Sequence, residues 1–121
     1  DQKQLDILNS ITHPNVKKAI LESMEEQKKS GCRLYVLEAA LLIQDGYLDI
    51  CDEMWYVYAD VSKRIERLCA YRGFTDEKAR KVIASQEPDS YYEENCSKKI
   101  DNSGNLEKLR NQLKLAMEIE C

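Results

Sequence analysis

Short β-rich runs alternate with helical segments along this chain, and that order restricts the fold more than any other feature. Residues 33–43 form an almost continuous apolar run, and residues 54–59 are rich in aromatic side chains. Such runs suit strands that are buried on both faces of a parallel sheet. Strands that alternate with helices imply right-handed crossovers. The sequence therefore predicts an α/β fold in which helices cover parallel strands.

The same chain has no loop of the kind that holds phosphate groups. Such a loop needs clustered glycines, so that several backbone N–H groups converge on the anion, and usually a lysine. The four glycines are isolated: they are Gly31, Gly46, Gly73 and Gly104. Two interpretations are open: either the chain is not a nucleotide-binding enzyme, or it is a piece of a longer protein whose front part carries the loop.

Composition restricts the partners that such a domain would bind. The 121 residues are 43% hydrophobic, which suits one compact domain rather than a disordered chain. The 18 basic and 22 acidic residues are mixed along the chain, so no basic field is expected to attract a nucleic acid. No apolar run approaches the roughly 20 residues that span a bilayer, and the first residues do not resemble a signal peptide. We expect a cytoplasmic protein with no nucleic-acid or membrane partner.

The cysteines do not form a metal-binding pattern. There are five, an odd number, without a Cys-x-x-Cys pair, and His13 is the one histidine. Zinc sites need ligand pairs close in sequence, so we expect free thiols and no metal site. A catalytic pair of His13 with a cysteine is an alternative, but the spacing singles out no partner.

Periodicity and turn residues place the elements. Proline suits the first turn of a helix, so a first helix is predicted to break at Thr12 and a second to begin at Pro14. The predicted elements are a helix over residues 1–10, a helix over 14–30, a strand over 34–38, a turn over 39–47, a strand over 54–59, helices from Ser62 to residue 71 and from Thr75, a turn over 101–104, and a last helix from Leu106.

One acid stands out in the first predicted strand. Glu38 lies near the carboxyl end of that strand, at the edge where open α/β sheets bind ligands. A buried acid is costly unless it is paired, hydrogen-bonded or near a metal ion. Glu38 is therefore a candidate catalytic residue, and a capping or structural role is an equal alternative.

Five short motifs, in their order and separation, resemble the back part of dephospho-CoA kinases. They are residues 8–14, residues 38–43, Arg67-Leu68, Gln86 and residues 100–104. The resemblance covers the whole chain but not the family's front part, which supplies the phosphate loop. It implies a partial P-loop kinase-like fold and the transfer of the ATP γ-phosphoryl group to the 3′-hydroxyl of dephospho-CoA. It also implies ATP and Mg²⁺ as cofactors.

The resemblance also implies a division of the chain into three parts within one compact unit. Residues 1–61 correspond to a partial core and substrate-side helices. Residues 62–95 correspond to a helical lid that closes on ATP. Residues 96–121 correspond to the last core strand and the carboxyl-terminal helix.

Site residues are carried over by position in the motifs. Arg67 matches the first lid arginine, and the turn Asn102, Ser103 and Gly104 matches the segment that borders adenine. A plain strand-to-helix connection is the alternative for that turn. The second lid arginine usually falls where Tyr71 stands, so Arg72 is the candidate although one residue turns a helical side chain by about 100°. His13 is a candidate substrate-binding residue.

Some positions depart from the family pattern. Tyr71 and Glu93 replace arginines of the lid, and Ser97 and Gln44 replace acids. An acid at position 93 would repel ATP phosphates if it pointed towards them. The departures fit a weakened enzyme, a diverged copy, or a Glu93 side chain that turns to solvent.

Two hypotheses of function follow. The first is a carboxyl-terminal fragment of a dephospho-CoA kinase that is inactive alone. The second is a non-enzymatic α/β module that binds a protein partner or self-associates, because a missing front would leave apolar surface uncovered.

Overall fold

The computed structural model describes residues 1–120, with side chains as far as Met117. Over that range it contains five α-helices, one 3₁₀ turn and two strands. The chain folds as two compact units, the first from Asp1 to Tyr47 and the second from Leu48 onward. The α/β class is confirmed, and the two strands run parallel as predicted.

The first unit is dominated by one long helix, α1, over Gln2–Lys29. The Asp1 side chain caps it by accepting a hydrogen bond from the backbone N–H of Lys3 at 3.0 Å. Pro14 lies inside the helix, so the predicted break at residues 12–14 is wrong. Proline has a helical φ, so it can stand inside a helix, although it removes one backbone donor and its ring crowds the carbonyl four residues earlier.

The apolar run after α1 is not a strand. Residues 34–39 have no regular secondary structure and pair with no strand that the structure describes, so the strand predicted over residues 34–38 is wrong. Leu34 is 60% and Val36 is 76% exposed. A β-rich sequence becomes a strand only beside a neighbour that supplies hydrogen bonds and packing. The predicted turn that follows is confirmed over residues 40–46, before a 3₁₀ turn at Tyr47–Asp49.

The second unit is built on the parallel pair of β1 (Trp55–Tyr58) and β2 (Lys98–Asp101). The register pairs Trp55 with Lys98 and Tyr58 with Asp101. The predicted strand over residues 54–59 is confirmed, and β2 lies in the segment to which the resemblance assigns the last core strand. The helices of this unit are α2 (Val61–Arg72), α3 (Asp76–Ala84), α4 (Asp89–Asn95) and α5 (Leu106–Glu120).

Local signals explain where α2 and α3 meet. Gly73 ends α2 with a φ of 65°, a left-handed conformation that glycine adopts without steric cost. Thr75 then caps α3, since its hydroxyl accepts a hydrogen bond from the backbone N–H of Lys78 at 3.2 Å. Both boundaries agree with the sequence prediction.

Helix α4 was not predicted, because its seven acid-rich residues carry no apolar stripe. Side-chain contacts with the sheet hold it. The rings of Tyr56 on β1 and Tyr92 on α4 stack with centroids 4.8 Å apart. The hydroxyl of Tyr56 donates a hydrogen bond to Asp89 at 2.5 Å, and burial together with this carboxylate raises the pKa of Tyr56. Contacts with the sheet, rather than an amphipathic pattern in its own sequence, therefore stabilise α4.

The core of the second unit is small. Its buried hydrophobic side chains are Met54, Ile65, Ala79, Ile100 and Ala116. Four of the elements contribute: Ile65 from α2, Ala79 from α3, Ile100 from β2 and Ala116 from α5. Among the helices that the structure describes, none has both the length and the apolar character needed to cross a membrane.

Replacing Ile100 with alanine should destabilise the second unit strongly. Ile100 is 3% exposed, so the substitution removes buried apolar contacts and leaves a cavity. The free energy of unfolding should fall by about 2–5 kcal/mol. Val57, the register partner of Ile100 on β1, is 60% exposed, so Val57→Ala should cost less than about 1 kcal/mol. Urea unfolding followed by circular dichroism measures both variants, and equal losses would contradict this account of the core.

Candidate functional site

A cavity of about 420 Å³ lies between α2 and the turn that follows β2. Its volume is in the range of small-molecule sites, roughly 300–1,000 Å³. Helix α2 supplies Lys63, Glu66, Arg67, Ala70 and Tyr71, and the turn supplies Ser103, Gly104 and Asn105. The cavity lies entirely within the second unit.

One face of α2 presents cationic groups to this cavity. Lys63 and Arg67 are four residues apart, so they share a face of the helix. The ammonium of Lys63 lies 3.3 Å from the Glu66 carboxylate in an exposed ion pair. Arg67 is half-buried and forms no hydrogen bond or ion pair with any residue that the structure describes. Its guanidinium is thus available to an anionic ligand.

Hydrogen bonds fix the opposite wall. The Ser103 hydroxyl accepts the backbone N–H of Asp60 at 2.8 Å, which ties the turn to the start of α2. The Ser103 backbone N–H donates to the Asp101 carboxylate at 2.8 Å. The Gln112 amide then donates to the Asp101 carbonyl at 2.7 Å and accepts the Asp101 backbone N–H at 2.8 Å. The turn is therefore held from both α2 and α5.

The turn runs directly into α5. Asn105 precedes the helix, and its side-chain oxygen accepts a hydrogen bond from the backbone N–H of Lys108 at 2.9 Å. A Cβ atom added at Gly104 would lie 3.1 Å from the Cδ atom of Lys108. A side chain at position 104 would therefore crowd the first turn of α5 beside the cavity.

Three of the residues predicted for nucleotide binding share this cavity, and two do not line it. Arg67, Ser103 and Gly104 lie in its walls. Asn102 stands just before the wall, with its backbone N–H donating to the Tyr58 carbonyl at 2.6 Å. Arg72 is exposed and outside the lining.

Sequence reasoning did not assign the other five lining residues to a site, and two of them bear on its chemistry. Tyr71, rather than Arg72, is the residue near the end of α2 that lines the cavity. Lys63 also lines it, and its spacing of four residues from Arg67 is the signal that could have identified it.

Glu93 does not line the cavity. It forms an ion pair of 2.8 Å with Lys99, and this hydrogen bond raises the pKa of Lys99. The Lys99 ammonium also lies 4.1 Å from the centre of the Tyr58 ring. Among the other departures, the backbone N–H of Ser97 donates to the Met54 carbonyl at 2.9 Å, and Gln44 is exposed.

The remaining candidates lie in the first unit. His13 Nδ1 is 3.4 Å from an Asp45 carboxylate oxygen, beside a cavity of about 230 Å³. Lys17 also lines this cavity; its ammonium donates to the Asp45 carbonyl at 3.1 Å and lies over the ring of Tyr47. Glu38 is exposed in the irregular segment, so the argument from a buried strand end is wrong for it. The substrate role of His13 and the catalytic role of Glu38 stay predictions.

Comparison with known proteins identifies the family. The family model described as dephospho-CoA kinase matches residues 1–108. The chain belongs to the dephospho-CoA kinase family. The resemblance drawn from the five motifs is confirmed, and the family is one of ATP-dependent kinases.

Individual dephospho-CoA kinases match along nearly the whole chain. The enzyme of Carboxydothermus hydrogenoformans is 35% identical over 113 residues, which are 93% of this chain and 55% of that protein. The enzyme of Latilactobacillus sakei is 35% identical over 121 residues, all of this chain and 60% of that protein. This chain thus spans little more than half the length of the dephospho-CoA kinases that it matches.

The fold also has a counterpart among solved structures. The crystal structure of TT1252 from Thermus thermophilus superposes with a TM-score of 0.73 at 24% identity. The match covers 98% of this chain and 60% of TT1252. The arrangement of helices and strands is therefore one that an experimentally determined protein adopts.

The described residues do not include a set of protein ligands for the Mg²⁺ that the dephospho-CoA kinase family implies. Among the described residues, no three carboxylate, histidine or cysteine side chains are grouped as a metal site needs. Glu66 is the one carboxylate residue in the lining of the cavity, and it is paired with Lys63. Such a donor set does not fit a protein-held Mg²⁺, which takes oxygen ligands in an octahedron.

Acid should weaken the turn beside the cavity. The hydrogen bonds from Ser103 lower the pKa of Asp101, so the folded state favours its charged form. That stabilisation is present above the unfolded pKa, about 4, and is lost as the pH falls through the lower folded pKa. The parent should therefore unfold at a higher urea concentration than Asp101→Asn. The difference between the two urea midpoints should be constant above about pH 5 and should narrow below about pH 4. A gap that stays constant down to about pH 2 would contradict this effect.

Proposed function

We propose that this chain supplies the nucleotide-binding portion of a dephospho-CoA kinase. The complete reaction would transfer the γ-phosphoryl group of ATP to the 3′-hydroxyl of dephospho-CoA. One observation carries the proposal: in a chain of this family, the unpaired Arg67 and the Ser103–Gly104 turn lie in one cavity. Under this proposal the protein acts in the cytoplasm.

The chemistry of the cavity supports this role. Phosphoryl transfer depends mainly on positioning and on stabilising the charge of the phosphate oxygens. A guanidinium can donate two parallel hydrogen bonds to such oxygens. Lys63 adds a second cation one helical turn earlier on the same face of α2. In this arrangement the phosphates of ATP would contact the cations of α2, and the base would contact the turn.

We propose further that residues 62–95 act as the lid. Helices α2 and α3 pack directly on each other around Ile65 and Ala79, with Gly73 in the connection. The Arg64 guanidinium donates to the side-chain oxygen of Gln86, which links the start of α2 to the segment after α3. The pair therefore forms one packed body that presents Arg67 to the cavity. Mg²⁺ would be held in the complete enzyme by phosphate oxygens and water.

Removing Arg67 should weaken ATP binding. Loss of a charge-assisted hydrogen bond corresponds to about tenfold in affinity, so Arg67→Ala should raise the Kd for ATP by about that factor. Arg110→Ala is the matched control, because Arg110 is exposed on α5 and has no hydrogen bond or ion pair with any described residue. Calorimetric titration measures both variants. Equal affinities of the two variants for ATP would contradict the assignment of the cavity as the ATP-binding site.

The 121 residues alone should not phosphorylate dephospho-CoA. Their four glycines are isolated, so no loop within them can surround the β- and γ-phosphates. Chromatographic assay for coenzyme A with ATP and Mg²⁺ should therefore detect no product. Clear turnover would show that the chain contains a catalytic centre in another place.

A second candidate function is self-association through α1. Helix α1 has no buried side chain, and it exposes several large hydrophobic ones, among them Leu5, Leu8 and Ile11. Exposed apolar patches commonly mark interaction surfaces. We propose a second copy of the chain as the occupant under this alternative.

Light scattering distinguishes the alternative. If α1 mediates association, the measured mass should rise above 14.1 kDa as the protein concentration increases. The double substitution Leu8→Glu and Ile11→Glu should return the mass to that of the monomer. Val36→Glu is the control, since Val36 is exposed but outside α1. A mass of 14.1 kDa at every concentration would refute self-association and leave the kinase proposal intact.

A further inference from the structure

Tyr56 lies within β1 and attaches the segment after α3 to the sheet. Its hydroxyl donates a hydrogen bond to the Asp89 carboxylate at 2.5 Å, and its ring stacks on that of Tyr92. Burial and the hydrogen bond to Asp89 both raise the pKa of this hydroxyl, so it stays protonated and remains the donor at neutral pH. The attachment is therefore a charge-assisted hydrogen bond, which is one of the stronger kinds.

Helices α2 and α3 pack on each other and, together with Gln86, form what we call the α2–α3 body. The backbone N–H of Gln86 donates to the Ile83 carbonyl at 3.1 Å, so Gln86 continues the end of α3. The Arg64 guanidinium donates to the side-chain oxygen of Gln86 and so joins it to α2. Asp89 follows three residues later, just after Pro88, whose ring fixes its own φ. Little backbone freedom therefore separates Asp89 from the α2–α3 body.

The α2–α3 body is thus hydrogen-bonded to its surroundings at both ends of its chain. At the start of α2, the Asp60 backbone N–H donates to the Ser103 hydroxyl at 2.8 Å. At the other end, Asp89 accepts the hydrogen bond from Tyr56. A body held at one point can rotate about that point, whereas a second attachment fixes its orientation. Because Arg67 lies on this body and lines the cavity, its position depends on both attachments.

We propose that Tyr56 is a positioning residue for Arg67, acting through Asp89 and the α2–α3 body. The inference rests on the proposed nucleotide site, but Tyr56 is not among the residues that line the cavity. Paired hydrogen bonds from a guanidinium to phosphate oxygens need a defined geometry, which the second attachment would maintain. Tyr56 would therefore affect the affinity for ATP without contacting it.

The first part of the test separates the hydroxyl of Tyr56 from its ring. Tyr56→Phe removes the hydrogen bond and keeps the stacking surface. Calorimetric titration should give a Kd for ATP about three to ten times that of the unsubstituted chain. Asp89→Leu should have the same effect, because it removes the acceptor. Asp89→Asn should keep the Kd within about twofold of the parent, since an amide oxygen can still accept the hydrogen bond.

Glu93→Gln is the matched control. It weakens the ion pair between Glu93 and Lys99, which also joins α4 to the sheet but lies beyond Asp89 from the α2–α3 body. This variant should keep the Kd for ATP within about twofold of the parent. Equal losses of affinity in Glu93→Gln and Tyr56→Phe would overturn the positioning role, because any loosening of α4 would then suffice.

A double substitution tests whether Tyr56 acts through Arg67. Tyr56→Phe combined with Arg67→Ala should bind ATP no more weakly than Arg67→Ala alone, whereas additive losses would contradict the positioning role. Unchanged affinity in both Tyr56→Phe and Asp89→Leu would also overturn it. If Arg67→Ala then still weakens binding, the proposed nucleotide site stands without it. Failure of the unsubstituted chain to bind ATP would overturn both. Circular dichroism verifies that each variant is folded, and Asp89→Leu decides the test if Tyr56→Phe is not.

Discussion

The parallel pairing of β1 with β2 is the constraint on which the candidate site depends. In a parallel pair the carboxyl ends of both strands lie at one edge, where α/β folds bind ligands. Here β1 leads through Asp60 into α2, and β2 leads into the turn at Ser103. The hydrogen bond from the Asp60 backbone to the Ser103 hydroxyl joins these two exits. This bond ties the start of α2 to the turn, and the cavity lies between them.

The sequence predicted the second unit better than the first. The strand β1, the capped start of α3, the glycine end of α2 and the start of α5 follow from local rules, because turn chemistry and short-range periodicity decide them, whereas a strand near β2 was expected only from the family resemblance. Helix α4 was missed because tyrosine stacking against the sheet, which is a tertiary contact, holds it. The first unit was mispredicted at Pro14 and at residues 34–38 for related reasons. Neither a proline in a long helix nor an unpaired β-rich run can be judged without its neighbours.

The lining of the candidate cavity could be predicted in part from the sequence, for the same physical reasons. Arg67, Ser103 and Gly104 could be named from motifs, since their spacing in the sequence survives in the fold. The choice between Tyr71 and Arg72 depended on helix rotation, and only coordinates could decide which one reaches the cavity. Glu93 is the opposite case: its sequence position suggested repulsion of phosphates, whereas an ion pair with Lys99 accounts for its charge.

The central claim is that ATP binds between α2 and the turn after β2. The most direct measurement is a ¹H–¹⁵N NMR titration of the chain with ATP, with amide shifts mapped onto the structure. The account predicts the largest shifts at Arg67, Tyr71, Ser103 and Gly104, and small shifts along α1. Shifts confined to the cavity around His13 and Asp45, or no shifts at saturating ATP, would contradict it.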